Sequence, residues 1–481
     1  MKAIRGFLSL YSLRYPATIV YMLQSTEYNT AAYLKWYWRT KDYSTITYRR
    51  SLDYTRPARL LLLALRLGIG LQLLLSLVLI GLGLADILGG GLLFGIGLII
   101  IYPVLWANLV VIPLVLGRIF ISKPAEAKLI KQSKTIFADH KGIKIAVAGS
   151  YGKTTMKEML LTVLSEGLNV AATPANKNVS SSHAYFARKL TGKEDVLVIE
   201  YGEGEPGDIA RFAAITQPTH AVITGVAPAH LDRYKTLKAA GQDIFSISQF
   251  VDADKLFVNA DSPDARPFIK PQFQSFDNHS ALGWSVKDVD VTLDGTSFTM
   301  HKDKTAISLK SGLIGEHQVG FLVFVAALGL QLGLTQAQVK AGIAKTKPFE
   351  HRMQPYRLSG AAIIDDTYNG NLEGIRAGTA LLKRLEARRK LYVTPGLVEQ
   401  GAESAAIHTE VGRLIAEANP DMVVLMKNSV TGYIKAGLAE KNYRGELRVE
   451  EDPLYFYTNI GHFVAAGDLV VMQNDWTDNY A

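Results

Sequence analysis

GSYGKTTMK (Gly149–Lys157) directly follows the apolar run KIAVA (Lys144–Ala148) and leads into EMLLTVL (Glu158–Leu164). A strand, a glycine-bearing loop and a helix in that order aim backbone N–H groups and the positive end of the helix dipole at one point, where an anionic phosphate is held. The residue types suit that task. Lys153 supplies a cation for the outer phosphates, and the Thr154 hydroxyl supplies an oxygen for Mg²⁺. The longer spelling G-x-x-x-x-G-K-[ST] fails at its first position, which is Val147, so the loop is the shorter G-x-x-G-K-T-[ST]. Gly149, Ser150, Tyr151, Gly152, Lys153, Thr154 and Thr155 are the expected nucleotide contacts.

Downstream, short apolar runs recur: DVLVIE (Asp195–Glu200), HAVIT (His220–Thr224), KLFVN (Lys255–Asn259), AAIIDD (Ala361–Asp366), KLYVTPG (Lys390–Gly396), MVVLM (Met422–Met426) and DLVVM (Asp468–Met472). Helical patterns separate many of them, which predicts parallel sheets with crossover helices. The series starts afresh after Pro348, so a domain boundary is expected near residues 348–356.

Upstream, no charged residue occurs from Leu67 to Ala85 or from Ile87 to Gly117. Each run reaches the roughly 20 residues needed to cross a bilayer core. ADILGGG (Ala85–Gly91) between them reads as a tight turn. Arg49, Arg50, Arg56 and Arg59 precede the pair, and Arg118, Lys123, Lys128, Lys131 and Lys134 follow it. By the positive-inside rule both outer ends are cytoplasmic, which predicts a cell-membrane protein with two spans and its catalytic domains in the cytoplasm. YLKWYWR (Tyr33–Arg39) mixes aromatic and basic side chains, as headgroup-layer segments and folded caps both do. The expected domains are 1–58, an aromatic and basic segment; 59–121, the hairpin; 122–350, a nucleotide-binding domain; and 351–481, a second α/β domain.

Charge follows the same division. Residues 1–141 hold 17 Lys and Arg against 6 Asp and Glu, a net +11, so the rest of the chain carries −3 against a total of +8. The basic excess lies beside the apolar runs, which points to membrane lipid as a partner and away from nucleic acid. Cysteine is absent, which excludes disulfides and thiolate metal sites.

Six further motifs stand in series: TPANKN (Thr173–Asn178), IEYGEGEPGDI (Ile199–Ile209), ITGVAPAHLDRY (Ile223–Tyr234), EHRMQ (Glu350–Gln354), IIDDTYNGN (Ile363–Asn371) and HTEVGRLI (His408–Ile415). With the phosphate loop they make residues 142–472 resemble the Mur ligase family. The resemblance implies an α/β fold: a P-loop-type central domain and a Rossmann-like C-terminal domain, here preceded by a two-helix transmembrane hairpin where the family's UDP-binding first domain would be. It implies an ATP-dependent, ADP-forming ligase that joins a carboxylate to an amine through an acyl phosphate, in peptidoglycan and cell-wall precursor synthesis, using ATP and Mg²⁺. The expected partners are a carboxylate-bearing envelope precursor, membrane-associated or lipid-linked, and an amino acid or dipeptide such as D-alanyl-D-alanine.

Carried over position by position, the resemblance makes Lys153, Glu200 and His230 catalytic and puts Thr154, Glu200 and His230 on metal. Arg352 and Asp366 are expected on the nucleotide, and Asn176, Asn178 and Asn369 on the phosphates and substrates. Tyr368 and His408 read as packing or orienting residues, and Glu203 and Glu205 as solvated loop charges. Two positions depart from the family pattern. A carbamylated lysine that bridges a second metal is expected where Gly241 stands, with Lys238 about one helical turn away, and HQVGF (His317–Phe321) lacks the asparagines expected beside adenine. Other readings of the chain are a poly-amino-acid or folylpolyglutamate-like ligase, a catalytically impaired membrane-anchored ATP-binding scaffold, and, disfavoured by its two spans, a transport ATPase.

Overall fold

The computed structural model describes residues 8–26, 28–40, 43, 52–174, 178–228, 231–368, 370–398 and 400–474. The chain divides into two compact units, residues 1–128 and 129–481.

In the first unit, the helices Arg56–Leu84 and Gly91–Leu109 form a hairpin. Both are long and apolar enough to cross a membrane. The first has 29 residues, about 44 Å at the α-helical rise. Gly90, at φ +83°, closes the turn. Gly91 and Gly95 let the helices touch, because a Cβ at either would lie within 2.7 Å of a backbone carbonyl of the facing helix. The pattern of burial is inverted relative to a water-soluble bundle. Leu67, Leu71, Leu74, Leu77, Ile96 and Ile100 are exposed, whereas Gln72 and Ser76 are buried. Trp106 Nε1 donates to Gln72 Oε1 at 2.7 Å, and Gln72 Nε2 donates to the Leu98 carbonyl at 3.0 Å. The aromatic segment forms the helices Tyr15–Ser25 and Thr30–Arg39, and its tyrosines anchor them on the hairpin. Tyr15 donates to the Pro103 carbonyl at 2.8 Å and Tyr33 to the Ala107 carbonyl at 2.9 Å.

The second unit holds two sheets. In the first, β1 (Ile143–Ala148), β2 (Val170–Ala172), β3 (Val196–Glu200), β4 (His220–Ile223), β5 (Leu256–Asn259) and β6 (Gln274–Phe276) are parallel. β1 lies between β3 and β4, so the chain reverses its direction of progress across the sheet beside β1. In sheets of this kind ligands gather at the C-terminal ends of the strands flanking that point. Apart from Lys144 and the terminal Glu200, IKIAVA and VLVIE are apolar because helices cover both faces, and β3 is buried along its whole length. The helices Lys153–Leu164, Val319–Gln331 and Gln336–Lys345 pack one face, and Asp208–Thr216 and Leu237–Phe245 pack the other.

The sheet continues beyond β6 as four antiparallel strands: β7 (Ser280–Ala281), β8 (Trp284–Thr292), β9 (Gly295–Lys302) and β10 (Thr305–Ser311). An all-parallel reading misses them because they alternate. In β10, Ala306, Ser308 and Lys310 are exposed while Ile307, Leu309 and Ser311 are buried.

The second sheet has the order β11 (Gln354–Leu358), β12 (Ala361–Asp366), β16 (Asp468–Gln473), β13 (Arg389–Thr394), β14 (Met422–Met426), β15 (Glu446–Glu450). All are parallel except β11. Val291 and Ile314 of the first sheet's region enter the second core, and Arg384 donates to the Val289 carbonyl at 3.2 Å, tying the two sheets' domains together.

Candidate functional site

The phosphate loop follows β1 and ends at Gly152, which caps the helix Lys153–Leu164 at φ +71°. The loop is pinned from the neighbouring strand end. Ser150 N–H donates to the Gly225 carbonyl at 2.9 Å, and Thr224 Oγ1 donates to the carbonyls of Ala148 and Tyr151. Gly225 is a glycine because a Cβ there would lie 2.3 Å from the Tyr151 ring. Burial and the carboxylates of Glu373, Asp261 and Asp264 push the Tyr151 hydroxyl well above the usual phenol range, although its bond with Ser262 acts the other way.

Lys153 turns back over the loop. Its ammonium donates to the Gly149 carbonyl at 2.5 Å and pairs with Glu203 at 3.3 Å. The Glu203 side chain is only 5% exposed, so this carboxylate is not the solvated loop charge expected. It offers Lys153 the same anionic chemistry as a phosphate oxygen. Glu205 is exposed at the surface and pairs with Arg233.

Opposite the loop, β3 ends at Glu200, whose strand partner on β1 is Val147. Thr154 Oγ1 donates to Glu200 Oε1 at 3.1 Å and Asn178 Nδ2 donates to the same oxygen at 3.3 Å. Oε2 accepts no hydrogen bond among the described residues, and the Lys157 ammonium stands 3.5 Å from it as an ion pair. The backbone behind Glu200 is held as firmly. Thr173 Oγ1 accepts from the Glu200 N–H at 3.0 Å, and His183 Nε2 lies 2.8 Å from the Glu200 carbonyl. Burial between Tyr201 and Phe212 lowers the His183 pKa to about 4, so the ring is neutral and donates from Nε2.

This donor set suits a hard, oxygen-seeking cation. A carboxylate and an adjacent threonine hydroxyl are the ligands Mg²⁺ takes when nucleotide phosphates supply the rest. The lysine that would bridge a second metal has no room at position 241. A Cβ at Gly241 would lie 2.4 Å from the Phe268 ring, which stacks on Phe245 at 5.2 Å, and Lys238 is exposed one turn earlier. At the departure in HQVGF, the Phe321 ring fills space against the loop, 2.7 Å from a Cβ built at Gly152.

From the second sheet, Arg352 and Asp366 come together at the junction after Pro348. The Arg352 guanidinium lies 4.5 Å over the Tyr368 ring, which is the packing role expected of that tyrosine. Asp366 Oδ2 accepts from Gln473 Nε2 at 2.7 Å and Oδ1 from the Met353 N–H at 3.2 Å. Burial raises the Asp366 pKa to about 7, against those hydrogen bonds and the Arg352 charge, which lower it. Neither Arg352 nor Asp366 makes a hydrogen bond or ion pair to the phosphate loop among the described residues. His408 orients chain: its ring joins the Leu397 N–H at 2.9 Å to the Ser404 carbonyl at 2.6 Å. Asn176, His230 and Asn369 lie outside the described residues.

The structure thus brings together Lys153, Thr154, Asn178 and Glu200, and adds Lys157, Glu203 and His183. Lys157 had a signal in the sequence, since it lies four residues after Lys153 and so shares its helix face.

Comparison with known proteins agrees with this geometry. Residues 147–329 match the Mur ligase middle domain. The UDP-N-acetylmuramoyl-tripeptide--D-alanyl-D-alanine ligase of Escherichia coli is 30% identical over 290 residues, which cover 58% of this chain and 63% of that protein. The chain thus spans less than two thirds of that relative's length. The enzyme of the same name from Mycobacterium leprae is 27% identical over 386 residues, 73% of each chain. The crystal structure of the Thermotoga maritima MurF ligase in complex with ADP superposes with a TM-score of 0.63 at 23% identity, covering 73% of this chain and 80% of that one. Residues 147–329 thus carry a Mur ligase middle domain, and the two-sheet fold around it is that of solved MurF ligases.

Proposed function

We propose that the chain is an ATP-dependent, ADP-forming ligase that joins a carboxylate to an amine in peptidoglycan precursor synthesis, anchored to the membrane by its helical hairpin. The observation that carries this reading is the phosphate loop at Gly149–Thr155 facing Glu200 through Thr154 at 3.1 Å. The similarity to UDP-N-acetylmuramoyl-tripeptide--D-alanyl-D-alanine ligases and to a relative bound to ADP supports it.

In this reading the loop amides and Lys153 bind the β- and γ-phosphates, the Lys153 ammonium exchanging Glu203 for phosphate oxygens. Thr154 and Glu200 would hold Mg²⁺, with His230 as a further ligand, and the ion's charge would screen the crowded phosphates. The acceptor's carboxylate oxygen attacks the γ-phosphorus and ADP departs, leaving an acyl phosphate. The amine, such as that of D-alanyl-D-alanine, then attacks the acyl carbon, and phosphate leaves with the original carboxylate oxygen. Asn176, Asn178 and Asn369 orient the phosphates and substrates, and Arg352 with Asp366 meets the nucleotide from the second sheet. Lys153 and the helix N-terminus stabilise charge that builds on the transferring group.

The hairpin's exposed leucines and buried glutamine are the arrangement a lipid solvent selects, and they favour an acceptor that is itself membrane-associated or lipid-linked. Anchoring raises the effective concentration of such an acceptor. With the chain in lipid nanodiscs, matched lipid-linked and UDP-linked acceptors should differ in kcat/KM by at least about ten-fold in favour of the lipid-linked one. Equal use of both would remove the lipid preference.

Phe268 over Gly241 and Phe321 on the loop favour one other reading, a membrane-anchored ATP-binding scaffold without turnover. ADP release that depends on both a carboxylate and an amine separates ligase from scaffold.

A further inference from the structure

Lys157 is fully buried, with none of its side chain exposed, and the Glu200 side chain is 1% exposed. The two charges lie 3.5 Å apart, and Glu158 stands 3.1 Å from the same ammonium. A buried carboxylate with no counter-charge is strongly disfavoured, so the lysine is what allows an ionised Glu200 to stay in the core. It also divides the carboxylate's two oxygens. Oε1 faces Thr154 and Asn178 on the side of the phosphate loop, and Oε2 faces the ammonium.

We propose that Lys157 makes divalent-cation binding at this centre conditional on nucleotide. The ammonium offsets the negative charge of Glu200, the carboxylate that accepts from Thr154, so a free cation meets a weakened ligand. When a triphosphate occupies the loop, its negative charge supplies what the pair withholds, and the cation then binds through Oε1 alone. Lys157 touches neither substrate nor reacting atoms and is a positioning residue. The inference rests on the ligase reading of the loop and goes beyond it by naming the residue that couples cation binding to nucleotide binding.

The test is Mn²⁺ binding to the full detergent-solubilised chain, followed by the electron paramagnetic resonance of free Mn²⁺ with and without a non-hydrolysable ATP analogue. The wild type should bind Mn²⁺ weakly alone and at least about 100-fold more tightly with the analogue. Lys157→Met, similar in length and uncharged, should tighten nucleotide-free Mn²⁺ binding at least about ten-fold, the scale of a close buried charge pair. Lys157→Arg, which keeps the charge, should bind as weakly as the wild type. Tight nucleotide-free binding by the wild type overturns the proposal without recourse to any variant. Unchanged Mn²⁺ affinity in folded Lys157→Met, with nucleotide still bound, overturns it alone. Failure of the wild type to bind the analogue at all overturns both it and the ligase reading.

Discussion

Lys153→Ala is expected to lower amide-forming turnover by at least about 10³-fold, the scale on which phosphoryl-transfer enzymes depend on a cation at the transferring group. The substitution should leave the fold in place. Lys153 is the first residue of its helix, where a cation opposes the helix dipole and alanine is a better helix former. Against that gain stand the loss of its bond to the Gly149 carbonyl and of its pairing with Glu203. The melting temperature should therefore stay within about 4 °C of the wild type, measured on detergent-extracted protein alongside turnover. Full retained activity would mean that the loop does not bind the phosphates.

Glu200→Gln should fail in a different way, because it damages both chemistry and core. The amide oxygen still accepts from Thr154 and Asn178, but the negative charge for the cation is gone. Turnover should fall about 10²- to 10³-fold. On the other edge, an amide nitrogen replaces Oε2 beside the buried Lys157 ammonium. Removing one partner of a buried pair costs roughly 3–5 kcal/mol, and the nearby Glu158 brings the expected loss to about 2–3 kcal/mol. Denaturant unfolding followed by circular dichroism measures this directly. A variant that loses activity with no change in midpoint would show that Lys157 does not depend on Glu200.

These two substitutions also mark how far the sequence could be read. The eight runs beginning with KIAVA each became a strand, because parallel strands covered on both faces are nearly continuous in apolar residues. Glu200 was legible for the same reason, as a carboxylate ending one of those runs beside the loop. β7 to β10 were not legible as part of that sheet, since their exposed positions carry charges and their pairing is antiparallel. Lys157 and Glu203 were missed because charged residues on a helix and in a loop ordinarily face water. Only tertiary packing buries them against Glu200 and Lys153. The departure at Gly241 was visible as a missing lysine, but that Phe268 fills the space is a fact of packing that no spacing encodes.

The central claim is that the loop at Gly149–Thr155 and Glu200 direct phosphoryl transfer to a carboxylate. It is tested most directly by following ¹⁸O from a carboxylate-labelled acceptor in the presence of Mg-ATP and D-alanyl-D-alanine. One labelled oxygen should appear in inorganic phosphate for each amide formed, with ADP released in equal amount and both lowered at least about 10³-fold in Lys153→Ala. Amide formed while the phosphate stays unlabelled, or ADP released at the same rate without acceptor or amine, would contradict it.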